Sequence, residues 1–163
     1  MKVWIDLFSG DEMVSDSYKH QLIMNDAALE VKAKYVTKGN DNIKIASDDL
    51  SDEEGGETVV NVVEAHGLQE TQLSKKDFMA LVKPYLKKTS EKLKEIGKED
   101  RIPGFKAGAT ELVKFIVGRF DEFQIYCGTS FDTDAGLGFS YTIDGEEDPT
   151  FLFFADGMKE EKF

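Results

Sequence analysis

The sequence predicts an α+β fold, with helices packed outside a mainly antiparallel sheet. Three observations predict it. Apolar and charged residues alternate early in the chain, apolar residues recur every three or four positions between 74 and 120, and short apolar runs return after 123. The length of 163 residues suits one domain, 1–163, with a real core.

Val3–Leu7 and Ala28–Val36 are the first apolar segments. In the second, Leu29, Val31, Ala33 and Tyr35 alternate with Glu30, Lys32 and Lys34, which predicts a strand with one buried face. Thr37–Thr58 follows, with Ile43, Ile45 and Leu50 as its only large apolar residues and six acids within Asp48–Glu57. Such a stretch buries too little surface to offset its ordering entropy, so it is expected to be a long mobile acidic loop. Val59–Val63 reads as a resumed strand.

The middle of the chain is helical. Ser74 with Asp77 three residues on is an N-cap signal. Phe78, Leu81, Val82, Tyr85, Leu86, Thr89, Leu93 and Ile96 then lay one apolar stripe along a helix. Pro84 lies inside it; because the stripe stays in phase, a kink is expected rather than a break. Gly97 suits the position just past the helix end. A turn is expected over Asp100–Gly104, and a second helix carries Phe105, Ala109, Leu112, Val113, Ile116 and Phe120 on one face. The two form a helical hairpin over residues 74–120. Phe123–Tyr126, Leu137–Ile143 and Thr150–Ala155 return to strands, with Asp144-Gly145 and Asp148-Pro149 as breaks.

Charge is unevenly spread. The formal total is −12, which disfavours nucleic acid or an anionic membrane as the main partner. Of the 20 lysines and arginines, 12 lie between residues 67 and 120, where bases outnumber acids, while both flanks are strongly acidic. Lys76, Lys83, Lys87, Lys94 and Lys98 fall at spacings of seven and four, a cationic face to which Lys75, Lys88 and Lys92 add width. That face fits an acidic partner.

Few residues suggest chemistry. His20 and His66 have no Cys or carboxylate at zinc-ligand spacing and read as ordinary polar residues. One cysteine, Cys127, cannot close an internal disulfide, fits a reducing compartment and reads as a buried, inert thiol. No phosphate loop, dinucleotide fingerprint or nucleophile elbow occurs, so neither an enzyme nor an organic cofactor is expected. Gly136 and Gly138 read as bend or bulge positions. No apolar run is long enough to cross a membrane, and no signal peptide opens the chain, so a cytoplasmic protein is expected. Asp132 and Asp134, or Asp48 and Asp49 in the acidic loop, could offer oxygens to calcium. Counted from Asp132, position 6 is Leu137 and position 12 is Ile143, so this is no EF-hand, and any Ca2+ site is expected to be weak.

The string Asp6-Leu7-Phe8-Ser9-Gly10-Asp11-Glu12-Met13-Val14-Ser15-Asp16-Ser17-Tyr18-Lys19 resembles the opening of the translationally controlled tumour proteins. Leu68-Gln69-Glu70-Thr71 is similar to the same family, as is the closing segment from Phe123-Gln124-Ile125-Tyr126-Cys127-Gly128 to Asp156-Gly157-Met158-Lys159-Glu160-Glu161-Lys162-Phe163. The resemblance implies a β-tent (Mss4-like) fold with a projecting helical hairpin and a mobile acidic loop. It also implies a cytoplasmic calcium-binding, tubulin- and microtubule-associated protein involved in growth, and contact with survival-regulating proteins. A further implication is regulation of a Rheb-like small GTPase, for which the matching residue is Glu12. Phe163 stands where many animal members carry a cysteine used for a disulfide-linked dimer.

Overall fold

A computed structural model describes residues 1–38 and 57–162. The expected acidic loop, with Asp48 and Asp49, falls largely on residues 39–56 and so lies outside the described residues. Its two ends are not loop. The strands β5 (Tyr35–Lys38) and β6 (Glu57–Val60) pair there as an antiparallel ribbon.

The other elements, in chain order, are β1 (Lys2–Asp6), β2 (Glu12–Ser15), β3 (His20–Ile23), β4 (Ala28–Lys32), α1 (Asn61–His66), β7 (Gln69–Thr71), α2 (Lys75–Glu95), α3 (Ile102–Gly118), β8 (Gln124–Cys127), β9 (Gly138–Tyr141), β10 (Thr150–Phe154) and β11 (Met158–Lys162). Six strands form an antiparallel sheet in the order β3-β4-β10-β9-β8-β7, and three form a second in the order β11-β1-β2. The molecule is therefore α+β with antiparallel sheets.

The middle of the six-stranded sheet is buried on both faces. In β10, Leu152 and Phe154 join the helices and Phe151 and Phe153 face the other way, so all five residues from Thr150 are buried. A strand covered on both sides needs no polar alternation, which is why Thr150–Phe154 reads as an unbroken apolar run. On one face α2 and α3 contribute Phe78, Val82, Leu93, Phe105, Leu112 and Ile116. Trp4, Met13 and Val14 of the small sheet, with Val62 of α1, cover the other.

Helix α2 forms as its sequence dictates. The Ser74 hydroxyl accepts from the Asp77 amide at 3.0 Å, and Phe78, Val82, Tyr85, Thr89 and Leu93 are buried. The helix runs without a break through Pro84. Gly97, at φ 82°, closes it: its amide bonds the Lys94 carbonyl and the Lys98 amide bonds that of Leu93. Phe78 near the start of α2 meets Phe120 just past α3, with ring centroids 5.9 Å apart, so the two helices run antiparallel. At the other end of the hairpin the Arg101 guanidinium grips Asp156 through two parallel bonds of 2.9 and 2.6 Å.

Several boundaries differ from expectation. Strand β6 stops at Val60 because helix α1 begins at Asn61, so Val59–Val63 is half strand and half helix. Ala28–Val36 is two strands. The Ala33 amide bonds Pro149 and the Lys34 amide bonds the Asn61 side chain, which turns the chain out of one sheet and leaves Tyr35 51% exposed. Helix α3 starts at Ile102 with Pro103 in its first turn, inside the expected turn Asp100–Gly104.

Candidate functional site

The β1–β2 turn is built around Asp6, which is 1% exposed. Its carboxylate accepts from the Phe8 amide at 3.1 Å, the Ser9 amide at 2.7 Å, the Ser9 hydroxyl at 2.9 Å and the Gly136 amide at 2.9 Å. A Cβ on Gly136 would collide with that carboxylate, and one on Gly138 would stand 2.7 Å from the Phe153 ring. These glycines thus permit close approach, rather than the bend or bulge expected of them.

Asp11 ties the turn to a second loop. It accepts from the Thr129 hydroxyl at 3.2 Å and from the Ser130 amide and hydroxyl at 3.1 and 2.6 Å. Burial alone would raise its carboxyl; the bonds from Ser130, Ser9 and Thr129 outweigh that and hold it below its ordinary value.

Glu12 follows at a β-bulge. Trp4 pairs with Val14 and Ile5 with Glu12, so Met13 has no opposite number. The bulge lets Met13 and Val14 both turn inward while Glu12 points to solvent, its side chain 49% exposed. One carboxylate oxygen lies 2.7 Å from Nδ1 of His66, at the last position of α1, whose side chain is 5% exposed. Nε2 of the same ring lies 3.3 Å from the Tyr18 hydroxyl. Burial and the Glu12 charge raise the Tyr18 hydroxyl above the usual phenol value. Glu12, His66 and Tyr18, with Val3, Ser15 and Ser17, line a surface pocket of about 410 Å³. His66 is therefore not an ordinary polar residue. The signal was out of reach of local spacing, since its carboxylate partner lies 54 positions away.

The lysines divide in two. At about 100° per residue, Lys76, Lys83, Lys87 and Lys94 fall within about 40° of one another on α2. They are exposed and, among the described residues, form no ion pair. Lys75 and Lys98, at the two ends of the helix, are exposed as well. Lys88 and Lys92 do not widen this face. They lie on the flank, where the Lys88 ammonium sits 4.5 Å above the Phe8 ring and that of Lys92 is 3.2 Å from Glu95.

Asp132 and Asp134 are both exposed, and Asp132 accepts from the Asp134 amide at 2.9 Å, closing a local turn. Among the described residues no group of three or more His, Cys, Asp or Glu could hold a metal ion. The Cys127 thiol is buried, and burial followed by the charge of Asp11 raises it, which leaves it a poor nucleophile. No helix among the described residues is long and apolar enough to cross a membrane.

The model of the translationally controlled tumour protein family matches residues 1–159. A homologue of that protein from Plasmodium berghei is 40% identical over 172 residues, covering all of both chains. One from Dictyostelium discoideum is 36% identical over 175 residues with the same coverage. Among solved structures, the Schizosaccharomyces pombe protein p23fyp superimposes with a TM-score of 0.84 at 32% identity, covering both chains in full. The Caenorhabditis elegans protein shares the fold at a TM-score of 0.71 and 22% identity, covering this chain in full and 99% of its own.

Proposed function

The chain belongs to the translationally controlled tumour protein family, and from that premise we propose that it is a non-enzymatic cytoplasmic protein that docks acidic partners, tubulin and microtubules above all, through the lysine face of α2. One observation carries this reading. Lys76, Lys83, Lys87 and Lys94 share one exposed face and have no acidic partner among the described residues. Surface ion pairs contribute about 0–1 kcal/mol each, so folding does not need the four cations. An anionic surface would meet all of them together.

The test is microtubule co-sedimentation of the triple variant Lys83→Glu, Lys87→Glu, Lys94→Glu. Binding should fall at least tenfold at low salt, with the melting temperature moved only slightly. Undiminished binding would make the lysines a solvated coat and end the proposal.

Calcium binding at Asp132 and Asp134 is the accompanying, weaker part of this reading. Two carboxylates offer few of the six to eight oxygens that calcium takes, so water and backbone would supply the rest and affinity would be low. Amide shifts of residues 132–134 should move only at high calcium concentration, and submicromolar binding there would contradict it.

A second reading is regulation of a Rheb-like small GTPase through Glu12. It is supported by a half-exposed carboxylate held in one position at the rim of a pocket. Glu12→Gln should abolish any acceleration of nucleotide exchange on such a GTPase, and an unchanged rate would remove Glu12 from the role.

A further inference from the structure

The hydrogen bonds around His66 determine where its proton sits. An ionised carboxylate only accepts, so at 2.7 Å from Glu12 the Nδ1 atom must carry the hydrogen. In the neutral ring Nε2 is then an acceptor, and the Tyr18 hydroxyl must spend its proton on it at 3.3 Å. The serines of the same pocket also turn their protons inward. The Ser15 hydroxyl donates to that of Ser17 at 3.1 Å, and Ser17 to the Met1 sulfur at 3.8 Å. With His66 neutral, Glu12, Tyr18 and the two serines therefore offer lone pairs only.

We propose that His66 is the positioning residue of this pocket, and that its protonation reverses the hydrogen bond to Tyr18 and adds a donor, the Tyr18 hydroxyl, to a wall of acceptors. The imidazolium has hydrogens on both nitrogens. Nδ1 keeps its bond to Glu12, now as an ion pair, and Nε2 donates to the phenolic oxygen. The Tyr18 hydrogen is then free to point into the pocket. No bond is made or broken except the one to the incoming proton. At Tyr18, neutral His66 thus favours a ligand group that donates, and protonated His66 one that accepts.

The titratable groups placed here are Glu12 from β2, Tyr18 from the β2–β3 turn and the amino group carried by Met1, a residue that lines the same pocket, with Glu64 on α1 itself. Among the described side chains of β6, the other strand packed on α1, Thr58, Val59 and Val60 carry none. The inference concerns a site separate from the lysine face and holds whether or not tubulin binds.

Nitrogen-15 correlation of the histidine rings in the full chain reads it directly. With its ring neutral, His66 should be found in the Nδ1–H tautomer, the minor form of free histidine. Glu12→Gln, whose amide can donate as well as accept, should release that restriction and populate the Nε2–H form. Tyr18→Phe should leave the tautomer as it is, because Glu12 fixes it. On acidification the Tyr18 Cζ resonance should move with the same midpoint as the His66 ring. An Nε2–H tautomer in the unaltered protein would overturn the proposal. So would a tautomer indifferent to Glu12→Gln, or a Tyr18 resonance that stays still while His66 titrates.

Discussion

Two aspartates five residues apart hold the same turn by different means, and each has its own test. Asp6 is sealed, and removing its carboxylate strands the amides of Phe8, Ser9 and Gly136 without acceptors. Each buried, unsatisfied donor costs about 1–3 kcal/mol. Asp6→Ala should therefore lower the unfolding free energy by about 3 kcal/mol or more in urea denaturation, and a loss under about 1 kcal/mol would contradict the assignment. Asp11 is half-buried, with its carboxyl held below the ordinary 3.8. A lowered value in the folded state means the stabilisation is complete above the unfolded-state value and is lost as pH falls through the folded one. The Ser130 amide shift should thus titrate with a midpoint below 3.8, and a midpoint at or above it would mean the clamp does not hold.

Helix α2 is the element most fully written in local sequence, because its cap, stripe and stop are each set by residues within a turn of where they act. Ser74→Ala removes the acceptor for the Asp77 amide and should cost about 1 kcal/mol. Gly97→Ala forces a side chain to φ 82° and should cost a similar amount; thermal melts of both variants check this. Helix α1 was not legible for the converse reason. Its six residues include Val62 and Val63 and follow Val59 and Val60, so β-branched side chains gave it a strand's composition in too few turns to show a period. The break between β4 and β5 depends on Asn61, 27 positions from Lys34. Gly136 meets Asp6 across 130 positions. The lysine stripe was readable in outline, yet the departure of Lys88 required the Phe8 ring, which another part of the chain brings to it. Periodicity finds a face of an element; it does not find what the fold sets against that face.

At the scale of the molecule the charges are sorted. No lysine or arginine occurs from Phe120 to Met158 or from Val3 to Tyr18, and the bonds of Asp11 to Thr129 and Ser130 join those two stretches. The cations gather on the hairpin instead. A protein of net charge −12 can approach an anionic filament only by presenting that side, so association should depend on ionic strength more steeply than its total charge suggests. Raising salt from about 0.01 M to 0.15 M shortens the screening length from about 30 Å to 8 Å. Microtubule binding should weaken at least tenfold across that range, and a salt-independent affinity would mean that contacts other than the lysines dominate.

The pairing of β1 with β11, from Lys2 opposite Lys162 to Asp6 opposite Met158, bears on how the protein is made. A ribosome releases Lys2–Asp6 long before Met158–Lys162, so the middle strand of the small sheet waits for one of its two partners while everything between them is made. Until then Trp4, buried in the finished molecule, lies in a sheet that is only half closed. A nascent chain stalled before Met158 should accordingly remain open to protease around β1, whereas the released chain should not. The same adjacency means that a short linker could join residues 2 and 162, so circularly permuted chains opened at a surface turn, such as Asp144-Gly145, should still fold.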